Sequence, residues 1–413
     1  MNKRRLKILL GCYACDPGFG SEPGMGWNFV SNIAKHHDVH AIVEEGEFKE
    51  NLTRFAENNP DAMQNITFHY IPRTHHETLR KFWPPSYYWF YRAWNKRAFR
   101  LAVELDKKEN FDIVHQVTLA GFREPGYLWK LGKPFVWGPI GGFTQTAWSL
   151  LMGAGVHSML YFGMRNLLNY LQKRFGYAGK KVAPGAHSIL VSDSQGMVDV
   201  ATYWKRTPEH MLEVGTHPQE SKHTPPHRKA GDVFRICWAG QLIPLKSLEL
   251  LLHALPSCKE KNIELEVLGR GPSRQKWQEL ATELGIESKV HFHGYMEHGK
   301  ALEMMKQCHI FCHTSIKEGG TGTVVLEALQ NGLPIIALDH CGHAAVIDAS
   351  CGIKIPISSR SQIIQHLAEQ IDLLASNEEL RYSLVLGALE RSKFFSWDAK
   401  MEQLNRIYES AVS

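Results

Sequence analysis

Three glycine-rich stretches in this sequence each follow a short apolar segment. They are residues 18–26, 240–246 and 319–322. A glycine-rich turn between a strand and a helix exposes backbone N–H groups beside the positive end of the helix dipole, which suits a bound phosphate. Tight turns also need glycine for their geometry alone, so one such stretch does not establish a phosphate site.

Two glutamates bracket the third stretch. Glu318 precedes the turn, and Glu327 lies in the helix predicted to begin there, ahead of an apolar strand that ends at Asp339. Carboxylates accept hydrogen bonds from hydroxyl groups, so the pair suits a ligand that carries both hydroxyls and phosphates. The alternative is that both are ordinary glutamates near a helix start, where negative side chains are favoured anyway.

The segment from residue 315 to residue 348, SIKEGGTGTVVLEALQNGLPIIALDHCGHAAVID, resembles the signature of retaining GT-B glycosyltransferases, specifically of glycosyltransferase family 4. The resemblance covers nearly the whole chain and is strongest over residues 233–347. It implies an α/β fold of the GT-B class, in which two Rossmann-like domains face each other across a cleft. It also implies transfer of a sugar from a nucleotide-activated donor with retention of configuration.

By this resemblance, Glu318 would contact hydroxyls of the donor sugar, and Glu327 the ribose. Lys246 would contact the donor phosphates and stabilise the departing nucleoside diphosphate, the main electrostatic task of the reaction. A side chain at Gly24 or Gly26 would obstruct the diphosphate. The further donor-binding positions that the resemblance implies are Gln241, Gly269, His293, Gly294, Gly319, Gly320, Thr321, Gly322, Thr323 and Val324.

The sequence departs from the family pattern in three places. Eight residues, instead of the usual seven, separate Glu318 from Glu327, and Gln241 stands where an arginine often follows the glycine. The first-domain histidine of many members is missing after the strand PFVWGPIGG. His115, one strand earlier, is the nearest substitute, and it joins Lys246 and Glu318 as a candidate catalytic residue. The alternative is a structural histidine that satisfies backbone groups. The same-face attack proposed for the family needs no protein base, because the leaving phosphate accepts the proton.

The elements that must position these residues alternate between strands and helices. An opening strand, a glycine-rich loop at residues 16–26 and a helix at residues 27–37 form a βαβ start. The first half is predicted to hold strands at residues 6–11, 39–43, 113–115, 135–137 and 189–192. The second half is predicted to hold strands at residues 234–239, 264–268, 290–293, 310–313 and 334–337. Two α/β domains follow from this pattern.

The domain boundaries are predicted from the same pattern. Residues 1–214 form an N-terminal, acceptor-side Rossmann-like domain, residues 215–232 a linker without apolar periodicity, and residues 233–396 a nucleotide-sugar-binding domain. The last helix, residues 397–413, is expected to pack on the first domain, as the resemblance implies. Its apolar stripe consists of Phe395, Trp397, Leu404 and Ile407.

The composition fits a globular enzyme rather than a disordered or repetitive chain, with 413 residues, of which 44% are hydrophobic and 22% charged. Near the N-terminus only residues 8–10 form a continuous apolar run, which is too short for a secretory signal. The sequence therefore predicts a cytoplasmic location. The eight cysteines would be reduced there. Cys12 and Cys15, and the segment CHIFCH at residues 308–313, lack the spacing of a closed zinc site. No metal or cofactor is expected besides the nucleotide-sugar co-substrate.

Positive charge is concentrated in one part of the chain. Residues 67–181 contain 17 Lys and Arg against 6 Asp and Glu, whereas the whole chain has a net charge of +5. This asymmetry indicates contact with a polyanion, and without a nucleic-acid-binding motif an anionic membrane surface is preferred to nucleic acid. The expected contact segments are residues 82–100, which mix aromatic and basic side chains, and residues 159–181.

Residues 159–175 have apolar side chains at helical spacing beside Arg165, Lys173 and Arg174. This pattern predicts either a helix in the headgroup plane of a bilayer or an ordinary buried helix. On the first interpretation the protein binds anionic vesicles in a salt-sensitive way, and replacing the three basic residues with glutamate weakens binding.

The leading hypothesis is a hexosyltransferase that moves a sugar from a UDP- or GDP-activated donor to a hydroxyl of a glycan or lipid-linked acceptor. This activity would serve cell-surface polysaccharide or glycolipid synthesis, with the enzyme peripheral on the inner face of the membrane. The alternative is a catalytically inactive GT-B protein retained as a sugar-nucleotide or membrane-binding module. Its evidence is the altered glutamate spacing and the missing histidine.

Overall fold

The computed structural model describes residues 4–72, 86–119, 121–151, 156–217, 225, 227–229, 231–318 and 320–413. The chain divides into two compact units. The first contains Met1–Phe143, Asn169–Glu213 and Lys400–Ser413. The second contains Thr144–Leu168 and Val214–Ala399.

A parallel sheet forms the centre of the first unit. Its described strands follow the order β3-β2-β1-β4-β5-β6-β7, and each pair of neighbours is parallel. The strands are β1 (Lys7–Gly11), β2 (Asp38–Glu44), β3 (Ile66–Ile71), β4 (Ile113–Gln116), β5 (Phe135–Ile140), β6 (Ser188–Val191) and β7 (Glu209–His210). The strands β4, β5 and β6 are buried along their whole length, as expected for a parallel sheet covered on both faces.

A second parallel sheet forms the centre of the second unit, with the strand order β10-β9-β8-β11-β12-β13 among the described residues. The strands are β8 (Phe234–Ala239), β9 (Ile263–Leu268), β10 (Val290–Gly294), β11 (Ile310–His313), β12 (Ile335–Leu338) and β13 (Gly352–Ile355). The order along the sheet reverses between β8 and β11. In an open α/β sheet, such a reversal places a crevice at the carboxyl ends of the two strands.

Helices connect the strands of both sheets. In chain order they are α1 (Ser21–Ala34), α2 (Glu45–Asn58), α3 (Ser86–Glu109), α4 (Trp148–Leu151), α5 (Val156–Phe175), α6 (Ser194–Asp199), α7 (Leu248–Ala254), α8 (Arg274–Glu283), α9 (His298–Lys306), α10 (Thr323–Gln330), α11 (His343–Val346), α12 (Arg360–Ser376), α13 (Glu378–Phe394) and α14 (Trp397–Val412). Among the described residues, no helix combines the length and the hydropathy needed to cross a membrane.

Most of the last helix, α14, groups with the first unit. Several of its side chains form hydrogen bonds there: for example, Asn405 Oδ1 accepts from His37 Nε2 at 3.0 Å, and Tyr408 Oη lies 2.7 Å from His115 Nδ1. Leu404 and Tyr408 are fully buried. Polar contacts therefore accompany the apolar stripe that was expected to hold this helix.

Every strand predicted from the sequence is present, with ends that differ by no more than three residues. Three strands were missed: β3, β7 and β13. The predicted α/β class with two Rossmann-like domains is confirmed by the two parallel sheets and their intervening helices. Part of the predicted linker, residues 218–224, 226 and 230, lies outside the described residues.

The orientation of α5 contradicts one expectation about its basic residues. Lys173, predicted to face a headgroup layer, is only 3% exposed. Its ammonium lies 2.5 Å from Asp199 Oδ2 and donates to the carbonyl of Phe143 at 3.1 Å. Lys173 is therefore a structural residue of the first unit, because its charge is neutralised inside the protein.

The other predicted membrane segment, residues 82–100, is described only in part. Residues 82–85 lie outside the described residues, and the remainder belongs to α3. There Tyr91 and Trp94 are buried, whereas Trp89 is 52% exposed. The aromatic cluster of this segment therefore serves the core of the first unit as well as its surface.

Candidate active site in the second unit

The candidate site lies at the carboxyl ends of β8 and β11, where the strand order reverses. The loops that follow these strands bring Lys246 and Glu318 into direct contact as an ion pair between Nζ and Oε1. Both side chains are largely buried. Residues that lie 72 positions apart in the sequence thus meet at the edge of the sheet where ligands bind in this class of fold.

Hydroxyl groups fix the two loops against each other. The side chain of Thr314, directly after β11, donates to the carbonyl of Lys246 at 2.9 Å and accepts from Trp238 Nε1 at 3.0 Å. The hydroxyl of Ser315 donates to the carbonyl of Leu245 at 3.3 Å. Because Thr314 and Ser315 are buried, these bonds hold the backbone of the Lys246 loop in one position.

Two histidines that the sequence analysis did not assign to the site adjoin Glu318. His313 Nε2 lies 3.3 Å from Glu318 Oε1, within ion-pair distance but poorly aligned for a hydrogen bond. The ring of His343 packs edge-on against His313 with centroids 4.6 Å apart, and its Nε2 donates to the carbonyl of Leu338 at 3.1 Å. The sequence did contain one sign that His313 belongs to the site. It is the last residue of a buried strand and so lies at the edge of the sheet where ligands bind.

The surroundings of Glu318 keep its carboxyl group ionised. Burial alone would raise its pKa, but the neighbouring His313 and the ammonium of Lys246 outweigh this effect and lower the pKa from 4.5 to about 2. An ionised carboxylate accepts hydrogen bonds only, so Glu318 is suited to a ligand's hydroxyl groups.

The chain then turns into the start of α10. Gly322 caps this helix with φ of +79°, in the left-handed region that favours glycine. Helix geometry leaves the N–H groups of the first turn, including those of Thr323 and Val324, without intrahelical acceptors. The start of α10 therefore offers N–H donors and the positive end of a helix dipole to an anion.

The turn between Glu318 and α10 contains three further predicted positions. Gly319 lies outside the described residues. Gly320 and Thr321 are described, and the hydroxyl of Thr321 is buried without a hydrogen-bond partner. A buried hydroxyl without a partner is rare in folded proteins, and it is a group that a bound ligand could satisfy.

The remaining predicted positions of the second unit lie at the same edge of the sheet. Glu327 on α10 accepts a hydrogen bond from His298 Nε2 at 3.0 Å, which raises the pKa of that histidine. Gln241 is exposed in the loop after β8. Gly269 follows β9, and its N–H donates to the carbonyl of Gly294 at the end of β10 at 2.9 Å. His293, also in β10, contacts Glu266 at 2.5 Å.

The two predicted glycines of the first unit do not lie in a loop. The helix α1 begins at Ser21, six residues earlier than expected, so Gly24 and Gly26 are helical. A Cβ atom at Gly24 would overlap the carbonyl of Phe19, and one at Gly26 the carbonyl of Ala14. Close packing of α1 on its own preceding loop thus explains both glycines without a ligand.

His115 belongs to the core of the first unit. It is fully buried, with Nδ1 2.7 Å from the hydroxyl of Tyr408 and Nε2 2.7 Å from the carbonyl of Gly138. The carbonyl can only accept, so Nε2 carries the proton and Nδ1 accepts from the tyrosine. Both ring nitrogens are occupied, which fits the structural alternative for this histidine.

Acidification is expected to destabilise the protein through this histidine. Burial lowers the pKa of His115 from 6.5 to about 4. Between these values the unfolded chain takes up a proton that the folded chain excludes, so stability falls as the pH drops, by about 3 kcal/mol for the full shift. Urea unfolding of the wild type at about pH 7 and pH 4.5 measures this loss. A His115→Leu variant, less stable at neutral pH, should lose less on acidification, and an unchanged pH dependence would contradict the assignment.

The described residues contain one group with the spacing of metal ligands, Glu264, Glu266 and His291, whose ligand atoms lie within 4.8 Å of one another. Two of its members already have partners: Glu266 contacts His293, and Glu264 pairs with Arg235 at 3.2 Å. The eight cysteines are all described, and all are buried.

Most of the second unit is similar to a known family of proteins. Residues 219–389 match the family model of glycosyl transferases group 1. This range contains Lys246, Glu318 and Glu327, the three charged residues predicted for the donor site.

Individual relatives point to the same class. Phosphatidyl-myo-inositol mannosyltransferase of Mycobacterium leprae (strain TN) is 25% identical over 173 residues, which cover 41% of this chain and 44% of that protein. Lipopolysaccharide glucosyltransferase WaaG of Escherichia coli (strain K12) is 36% identical over 184 residues, 40% of this chain and 48% of that protein. The chain thus spans about half the length of these curated relatives.

Likeness in structure extends over nearly the whole chain. The crystal structure of Anabaena Alr3699/HepE in complex with UDP and glucose superposes with a TM-score of 0.59 and 16% identity, covering 98% of this chain and 100% of that one. At this identity the likeness concerns the fold alone. It supports the predicted GT-B class.

Proposed function

We propose that the chain is a retaining, family 4-type glycosyltransferase that moves a hexose from a UDP- or GDP-activated donor to a hydroxyl of a glycan or lipid-linked acceptor. The observation that carries the proposal is the contact of Lys246 with Glu318 at the sheet reversal, beside the start of α10. A cation and a helix start suit a diphosphate, and an ionised carboxylate suits sugar hydroxyls.

The comparisons support the proposal at the level of the class. The group 1 family model matches the part of the chain that contains this site. The two relatives are by name transferases for a phosphatidylinositol and for lipopolysaccharide, which supports a role in glycolipid or polysaccharide synthesis. The described part of the site offers no support for the inactive alternative. The cytoplasmic location remains a prediction.

In the proposed reaction, Lys246 turns from Glu318 to the donor phosphates, and Glu318 then accepts hydrogen bonds from the sugar hydroxyls. The bond from the anomeric carbon to the phosphate oxygen breaks as the acceptor oxygen bonds to the same face of the sugar. The acceptor's proton passes to the leaving phosphate. Lys246 and the N–H groups of α10 stabilise the charge on that phosphate, so transfer is proposed to need no metal ion.

A panel of nucleoside diphosphates and their sugars tests this function by thermal shift, with and without a chelator. A ligand at 100 times its dissociation constant adds about 2.7 kcal/mol to stability. We expect a UDP or GDP compound to raise the melting temperature, with the same shift when metal ions are chelated. If no member of the panel shifts the transition of the folded protein, the proposed donor site is wrong.

Replacing Glu327 is expected to weaken donor binding more than turnover. A Glu327→Ala variant loses proposed hydrogen bonds to the ribose, which are equally strong before and during the reaction, so the donor KM should rise by about tenfold or more with little change in kcat. Glu318→Ala should instead lower kcat, because the sugar changes during the reaction. His298→Ala serves as a control that removes the present partner of Glu327. Unchanged donor affinity in Glu327→Ala would contradict this division of roles.

A further inference from the structure

Helix α5 exposes apolar side chains to solvent in a continuous stripe. Seven of its large apolar residues are between 40% and 68% exposed: Leu160, Tyr161, Met164, Leu167, Leu168, Leu171 and Phe175. Each of them has another member of the set three or four residues away, so they lie along one side of the helix. The surface helices of globular proteins normally show the opposite pattern, with the apolar stripe turned toward the core.

Polar side chains hold α5 in this orientation. Asn166 is buried, and its amide donates to the carbonyl of Thr146 at 2.9 Å while its oxygen accepts from the N–H of Thr146 at 3.1 Å. Asn169 accepts from Arg123, and Lys173 forms the buried ion pair with Asp199. The helix therefore presents its polar side to the protein through specific hydrogen bonds, and the apolar face is exposed as a consequence.

Positive charge and aromatic rings surround the apolar face. Residues 134–181 contain no Asp or Glu, and Arg165, Arg174 and Lys180 are exposed. The guanidinium of Arg174 and the ammonium of Lys180 lie 5.3 Å and 5.6 Å from the ring centroid of Phe175. Aromatic side chains beside basic residues are typical of segments that lie at the interface between water and lipid.

We infer that α5 is a membrane-docking element whose apolar face, defined by the seven exposed residues from Leu160 to Phe175, inserts into the surface of an anionic lipid bilayer. Apolar burial provides the main attraction, and the exposed basic residues add an electrostatic part. This differs from the sequence-based expectation, in which basic contacts dominated and Lys173 took part.

Charge favours a bilayer over a second copy of this chain as the partner of the apolar face. A two-fold symmetric contact places the same patch on both copies. It would therefore bring Arg165, Arg174 and Lys180 of one copy toward those of the other, and no acidic residue in residues 134–181 would compensate. An anionic lipid surface attracts the same charges.

Vesicle sedimentation of the full chain tests the inference, and it requires neither donor nor acceptor. The probes are vesicles of phosphatidylcholine with and without phosphatidylglycerol. The test variant is Leu167→Gln/Leu171→Gln, and the matched control is Leu373→Gln/Leu386→Gln on α12 and α13. The two pairs are similarly exposed: Leu167 and Leu171 are 51% and 40% exposed, and Leu373 and Leu386 are 39% and 50% exposed. All four side chains are at the surface, so both variants should keep the wild-type melting temperature.

We expect the wild type and the control to bind the phosphatidylglycerol vesicles, and the test variant to bind at least about tenfold more weakly. Raised salt should reduce wild-type binding without abolishing it. Failure of the wild type to bind, equal binding by the two variants, or complete loss of binding in raised salt would each overturn the inference. So would light scattering that shows a wild-type dimer converted to a monomer by Leu167→Gln/Leu171→Gln, since the face would then belong to a second copy.

Discussion

Lys246→Ala is expected to lower turnover by at least about 100-fold while the protein stays folded. One preorganised charge at a developing anion is typically worth about 3 kcal/mol of transition-state stabilisation. The bonds of Thr314 and Ser315 hold the backbone of the Lys246 loop at the sheet reversal, so only the side chain has to turn from Glu318 to the donor phosphates. Release of nucleoside diphosphate from a saturating donor measures the effect.

The matched control for this variant is Lys300→Ala. Lys300 lies on α9 in the same unit, and its side chain is 76% exposed. We expect the control to keep the wild-type turnover within about twofold, since exposed lysines contribute little. Near-normal turnover in a folded Lys246→Ala protein would remove Lys246 from the site.

Lys173→Ala is expected to destabilise the first unit by about 3 to 5 kcal/mol, because it leaves the buried carboxylate of Asp199 without its cationic partner. The two side chains are 3% and 5% exposed, so solvent cannot replace the lost ammonium. Urea unfolding measures the change. The neighbouring Arg174 is exposed, and Arg174→Ala should change stability by no more than about 0.5 kcal/mol.

A double variant separates the ion pair from simple loss of packing. Lys173→Met with Asp199→Asn keeps both side chains close to their original size and leaves no buried charge unpaired. It should recover a large part of the stability lost in Lys173→Ala. If Lys173→Ala and Arg174→Ala were equally stable, the buried position of Lys173 would be wrong.

Among the described strands, the central ones of both sheets were predictable from the sequence, whereas three of the four edge strands were missed. Central strands such as β5 and β8 are nearly continuous apolar runs, which the sequence shows directly. The three missed strands, β3, β7 and β13, all lie at the edge of a sheet. Edge strands are half exposed and short, so polar residues such as those in β3 interrupt their pattern.

The candidate site was predictable in its charged residues but not in its tertiary contacts. Lys246 and Glu318 lie in loops whose glycines and positions mark them, and the structure brings them together. The packing of His343 against His313 joins elements that no local pattern connects. The partner of His115, Tyr408, is 293 residues away, so the sequence around His115 gave no sign of this contact.

The orientation of α5 could not be read from its periodicity. The pattern showed an apolar and a polar side, and the usual expectation is that the apolar side faces the core. Here Asn166 and Lys173 find buried partners in Thr146 and Asp199, and those partners decide which side faces inward. Such long-range polar contacts are invisible to a hydrophobic pattern.

The most direct test of the central proposal is to follow donor cleavage by NMR with purified protein and a panel of UDP- and GDP-sugars, with water or a simple glycan as acceptor. The account predicts that at least one α-linked donor releases its nucleoside diphosphate and that the sugar first appears as the α-anomer, before mutarotation. It also predicts that Lys246→Ala abolishes this release. A first product in the β configuration would contradict retention. No release above the Lys246→Ala background from any donor would contradict the assignment of a glycosyltransferase.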